Sequence, residues 1–173
     1  GIGRGISAGL PDYPWWFGTD SEYALQGALA IGQKELTRQS IELIHQLSIK
    51  ANKNGRIVHE VSTNGVVFNP GNLNETAQFA SLVWTAYKWT GDKNLIKKYF
   101  PNIKKGLNWL LTENDQDQNG FPDGAGMMEI QGLHSEMIDV ACYTQKALED
   151  ASEMADVLGD KTLKKEYDAK AQK

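Results

Sequence analysis

A chain of 173 residues, 40% of them hydrophobic, is long enough for one globular domain with its own core. Its formal charge of −4 comes from interspersed acids and bases with no basic block, which argues against nucleic acid or an anionic membrane as partner. No apolar run reaches the roughly 20 residues that span a bilayer, and the single Cys142 excludes an internal disulfide.

The chain opens on a Gly-rich stretch, Gly1 to Gly5, without the apolar segment of a signal peptide. It ends inside a helical pattern, Thr162 to Lys173, with no stop signal. It therefore reads as a piece of a longer protein, and its compartment stays open. The stretch Tyr13-Pro-Trp-Trp-Phe-Gly-Thr-Asp-Ser-Glu22 sets Trp15, Trp16 and Phe17 just before a helix start. Asp20 or Ser21 is expected to cap the helix, with Glu22 at the positive end of its dipole. Aromatics beside a carboxylate suit a sugar: the C–H face of the ring stacks, and its hydroxyls find charged acceptors. The plainer alternative is that these rings plug the core.

The first helix, Asp20 to Ile31, is apolar almost all round, so it is expected to be buried on all sides, with Gly32 at its C-terminal end. A second, from about Glu35 to Ala51, shows one apolar stripe through Leu36, Leu43, Ile44 and Leu47 and is an outer helix. A small β-prone insert around 57–68 follows, with turn signals at Asn54-Gly55 and Asn64-Gly65. Asn74-Glu75-Thr76 opens a third helix, apolar nearly all round. Asp92 starts the fourth, which Pro101 is expected to break and restart. After a polar loop from Asn114 to about Ser135, a fifth helix runs from about Met137 to Leu158, and Asp160 begins the sixth.

Gly32-Gln-Lys-Glu-Leu36, Gly91-Asp-Lys-Asn-Leu95 and Gly159-Asp-Lys-Thr-Leu163 repeat between an apolar and an amphipathic helix. The chain is thus read as all-α: three helical hairpins, each an inner helix, a tight turn and an outer helix. Such units must stack, either as an open solenoid or as a closed ring. The long connections precede every inner helix, so they open on one end of the stack, where a site would form.

The third connection carries the most acids. Glu129 lies among Met127, Met128 and Ile130, a setting expected to desolvate it and keep it protonated as a general acid. Asp139 is the competing acid, although a helix N-terminus favours its charged form. Asp115, Asp117, Asn119 and Asp123 match the front half of a calcium loop, but Gly126 stands where the bidentate acid belongs; the alternative is an Asx-type turn. His45, His59 and His134 lack zinc-ligand spacing.

The segment Ala8-Gly-Leu-Pro-Asp-Tyr-Pro-Trp-Trp-Phe-Gly-Thr-Asp20, the Gly-Asp-Lys hairpins and Asp117-Gln-Asn-Gly-Phe-Pro-Asp123 together resemble the amylo-α-1,6-glucosidase (glycogen-debranching type) and glucoamylase-like glycoside hydrolases. The resemblance implies an (α/α)6 toroid, of which residues 1–173 are part of a single catalytic domain. It implies an inverting hydrolase of α-glucosidic bonds in glycogen or related oligosaccharides, needing no cofactor. By the same likeness Glu129 is the acid, with Asp139 as alternative. Trp15, Trp16, Asp20, Asn74 and Glu75 bind the sugar, and the base lies in the other half of the ring. Thr19 stands where the family usually has Arg. An incomplete ring is expected to be inactive alone and to expose apolar faces that favour self-association. The other readings are a non-catalytic carbohydrate-binding scaffold and a different toroid enzyme, such as a sugar phosphorylase or polysaccharide lyase.

Overall fold

Three apolar helices stand side by side, each backed by a more polar one. The computed structural model describes residues 1–130 and 132–173. The inner helices are α1 (Gly18–Ala30), α3 (Leu73–Thr90) and α5 (Ile138–Leu158); the outer ones are α2 (Lys34–Ala51), α4 (Lys93–Asn108) and α6 (Lys161–Ala171). The middle helix α3 packs on both α1 and α5, and each inner helix on the outer helix that follows it. The three tight turns each use a glycine at positive φ, Gly32, Gly91 and Gly159, which ends one helix and lets the next begin antiparallel to it.

The core lies between the two rows. Phe79, Leu82 and Val83 of α3 are fully buried, as are Leu25 of α1, Ile41 of α2, Ile96 of α4 and Met154 of α5. Each such side chain contributes about 1.5–3 kcal/mol relative to leaving it in water. The inner helices at the two ends are not buried all round, contrary to their apolar sequence. Tyr23 on α1, Ile31 at its C-terminal cap and Ile138 on α5 are exposed, because only α3 has an inner neighbour on each side. Pro101 does not divide α4. It sits on the solvent face, where water can satisfy the carbonyl its missing N–H leaves free. A π-helical turn, Trp109–Glu113, extends α4.

The insert is a three-stranded antiparallel sheet in the order β1 (Trp16–Phe17), β2 (Glu60–Val61), β3 (Val67–Asn69). Strand β1 comes from the aromatic stretch. It moves the start of α1 back to Gly18, with Phe17 at the cap and no side-chain cap, so neither Asp20 nor Ser21 caps the helix. Likewise α3 starts at Leu73, and Glu75 reaches back to the N–H of Asn72 at 2.7 Å, as in a capping box.

The insert is held against α4 by two glycines that touch. A Cβ on Gly55, at φ +89°, would lie 2.2 Å from the Gly106 nitrogen, whereas Gly91, at φ +69°, has open space around it. Gly91→Ala is expected to cost about 1–2 kcal/mol for the left-handed backbone alone. Gly55→Ala is expected to cost at least about 2 kcal/mol more, because backbone must move. Urea denaturation of the two variants measures the difference; equal midpoints would refute the packing role of Gly55.

Candidate active site

The connections preceding α1, α3 and α5 converge at one end of the helix rows. The sheet does the joining. The Gly18 N–H donates to the His59 carbonyl at 2.7 Å, and the His59 N–H donates to the Asn69 carbonyl at 3.1 Å. Gly18 lets the start of α1 close on α3: a Cβ there would lie 2.7 Å from Glu75 Cγ. The third connection is tied in by the Leu73 N–H to the Ala125 carbonyl at 2.9 Å.

Between them is a cavity of about 260 Å³ lined by Tyr13, Phe17, Asp20, His59, Asn74 and Glu129, with Glu75 at its floor. Beyond Glu129 opens a groove of about 990 Å³, whose walls include Arg56, Phe68, Trp109, Asp123 and His134; Glu129 lines both spaces. The structure thus brings Asp20, Asn74, Glu75 and Glu129 together.

Glu75 is completely buried. It accepts from Thr19 Oγ1 at 3.1 Å and lies 2.7 Å from His59 Nδ1. The other ring nitrogen of His59, Nε2, is 2.5 Å from Glu129 Oε1. Burial alone would lower the affinity of His59 for a proton. The hydrogen bond to Glu75 and the charges of Glu75, Glu129 and Glu60 outweigh burial and hold it above the ordinary histidine value. Asn74 is buried and donates to Thr19 Oγ1 at 2.7 Å. Its Oδ1 has no partner among the described residues.

Behind the cavity Glu22 is buried, and neither of its oxygens has a partner among the described residues. Burial, reinforced by the charge of Glu75, raises its pKa well above the ordinary carboxyl value. The shift favours the neutral form, which is what such a site demands of an unpaired acid.

Several expected residues lie elsewhere. Trp16 is buried in the hydrophobic core. Successive strand residues face opposite sides, so a strand at Trp16–Phe17 turns Trp16 inward and leaves Phe17 toward His59, edge-on at 5.5 Å. Trp15 stacks on Phe68, with centroids 4.8 Å apart, and does not line the small cavity. The aromatics that do are Phe17 and the exposed Tyr13. The methionine shield around Glu129 is absent: Met127, Met128 and Ile130 are themselves exposed, and the Glu129 side chain is 51% exposed. Its immediate neighbour is an imidazole. Asp139 is outside the cavity, accepting the Met127 N–H at 2.7 Å; it fastens the loop that carries Glu129.

Asp115 is buried and accepts backbone N–H groups of Asn119 at 3.0 Å and Gly120 at 2.9 Å, while Asp117 accepts the Asn119 side-chain amide at 3.0 Å. The segment is an Asx-type turn whose oxygens face its own donors. Among the described residues no three His, Cys, Asp or Glu side chains are grouped to hold a metal ion. No described helix is long and apolar enough to cross a membrane.

In the sequence His59 stands beside Glu60 in a connection at the shared end, without ligand spacing. The available signal was its position inside the apolar run Ile57-Val58-His59-Glu60-Val61, since a titratable residue in a run of buried strand residues requires a polar partner.

A family model described as the bacterial alpha-L-rhamnosidase 6 hairpin glycosidase domain matches residues 32–173. The motif through Asp20 lies before the matched segment. No curated protein matches the chain.

The raised pKa of Glu22 has a consequence for stability. Its favourable contribution is complete below the unfolded value of about 4.3 and is lost as pH rises through the raised folded value. Glu22→Gln is expected to match the parent near pH 4. It should gain on the parent, by up to about 1.4 kcal/mol per pH unit, once the buried acid is under pressure to ionise. Urea midpoints across that range test this; a difference independent of pH would refute it.

Proposed function

The chain belongs to the bacterial alpha-L-rhamnosidase six-hairpin glycosidase family, and from that membership we propose that it carries the acid side of an inverting glycosidase site. The family's description names six hairpins and three are present here, so residues 1–173 are, on this reading, half of one toroidal catalytic domain. The remaining hairpins supply the base. The reaction is hydrolysis of an α-linked terminal sugar.

One observation carries the reading: Glu129 stands on the border between the small cavity and the long groove. A terminal pyranose occupies the small cavity, with Asp20 and Asn74 near its hydroxyls and Tyr13 or Phe17 against its C–H face. The departing sugar or chain occupies the groove. The bond between them passes Glu129, which protonates the glycosidic oxygen. A base across the ring, at about 6.5–9.5 Å from the acid as inversion requires, activates the water. Asp139 serves as the loop anchor.

For the sugar, the aromatic–Asp20 motif supports an α-glucosidic substrate, an α-glucan or related oligosaccharide. The name of the matching family favours a second reading, an α-L-rhamnoside. Hydrolysis of maltooligosaccharides, isomaltooligosaccharides and α-L-rhamnosides by the full-length protein separates the two.

In the full-length enzyme Glu129→Gln is expected to slow hydrolysis of an oligosaccharide by about 10²–10⁴-fold. The loss should be much smaller for a glycosyl fluoride, whose leaving group requires little protonation. Oligosaccharide hydrolysis at the parent rate would remove Glu129 from the role. The first-formed anomer, read by proton NMR, tests inversion.

A further inference from the structure

We propose that His59 is a positioning residue that shares one proton with Glu129 along the Nε2–Oε1 line and thereby keeps the acid supplied with the proton it donates; this rests on the reading of Glu129 as the acid. The geometry is that of a chain of three. Glu75 Oε1 is 2.7 Å from Nδ1, and Glu129 Oε1 is 2.5 Å from Nε2. The imidazole is buried, while Glu129 is half exposed at the cavity. Glu129 thus lacks a buried setting of its own, and the imidazole is the proton carrier beside it. Glu75 is fully buried and already accepts the Asn72 N–H at 2.7 Å through its other oxygen. Facing Nδ1, it keeps a proton on that nitrogen and leaves Nε2 to exchange the second proton with Glu129.

Charged groups face or flank this imidazole from several packed elements. Glu75 comes from α3, Glu129 from the third connection and Glu60 from the strand itself. From α1, Asp20 lines the same cavity and Glu22 stands behind Glu75. Arg56 is near Glu75 and is the cation of this group among the described residues. Apart from Arg56 the surroundings are acidic, and His59 is held above its ordinary value in them. With both neighbouring acids ionised, the imidazolium donates to each. With the proton moved to Glu129, the acid donates to Nε2. The two arrangements carry the same number of protons and titrate as a unit.

The step balances. Glu129 gives its proton to the glycosidic oxygen and the C1–O bond breaks with its electron pair staying on that oxygen, while the oxygen of a water bonds to C1 and the water's proton goes to the base. His59 is then neutral, with its proton on Nδ1 toward Glu75. Solvent water returns a proton to the Nε2–Oε1 line before the next turnover.

The test is the pH profile of kcat/KM in the full-length enzyme. His59→Gln retains an N–H donor and loses the exchangeable proton. Its basic limb is expected to move to lower pH by about one unit or more, with the rate recovering on acidification and the thermal unfolding transition retained. A limb that stays in place or moves upward overturns the proposal. A second measurement needs no variant: in ¹⁵N-histidine-labelled parent enzyme, the His59 nitrogens are expected to titrate with the midpoint of the basic limb, and a midpoint elsewhere overturns it as well. The two readings fail separately. Intact oligosaccharide hydrolysis by Glu129→Gln rejects the acid, whereas loss in Glu129→Gln with an unmoved limb in His59→Gln rejects only the shared proton.

Discussion

The buried carboxylate of Glu75 is the interaction on which the candidate site depends. One oxygen closes the first turn of α3 on the Asn72 N–H; the other accepts from Thr19 of α1 and faces His59 next to β2. A single side chain thus links the first helix, the insert and the middle helix. A charge with no exposure is tolerable only with such a set of donors around it. Each partner comes from a different segment, so the three segments are tied to one another where their loops meet.

Two acids on neighbouring helices divide the labour. Glu75 has donors, whereas Glu22 has none among the described residues and its pKa is raised. Two carboxylates this deep would repel each other strongly if both were ionised. Glu75 keeps its donors and faces His59 Nδ1, while burial and the charge of Glu75 both push Glu22 toward its neutral form. The acids at the cavity itself, Asp20 and Glu129, are open to solvent on one side and are available to a ligand.

Much of the fold was legible because it is written locally. Apolar spacing marked all six helices. The Gly-Asp-Lys repeats marked the turns, and the long connections identified the end where the cavity forms. Asp20, Asn74, Glu75 and Glu129 were recognisable as residues of that end. What escaped depends on distant pairing. Strand β1 exists because Trp16 finds Val61 across the sheet, and only that pairing decides that Trp16 faces the core. The acid's neighbour is 70 residues away from it in sequence by number, as His59 and Glu129 show. Burial of Glu22 follows from how α1 sits on α3, and no periodicity reports that a carboxyl in an apolar helix will lack a partner.

The backbone of His59 bonds on both sides, to Gly18 and to Asn69, so the alignment of the little sheet decides which side chain meets Glu129. Strand side chains alternate, and a slip by one residue would present Val58 or Glu60 in place of the imidazole. The hairpin tip at Thr63 and Asn64 is exposed and can lengthen or shorten over generations without touching chemistry. A deletion between Ile57 and Val61 is a different event: it would turn the imidazole away from Glu129 and pull Val58 and Val61 out of the core together.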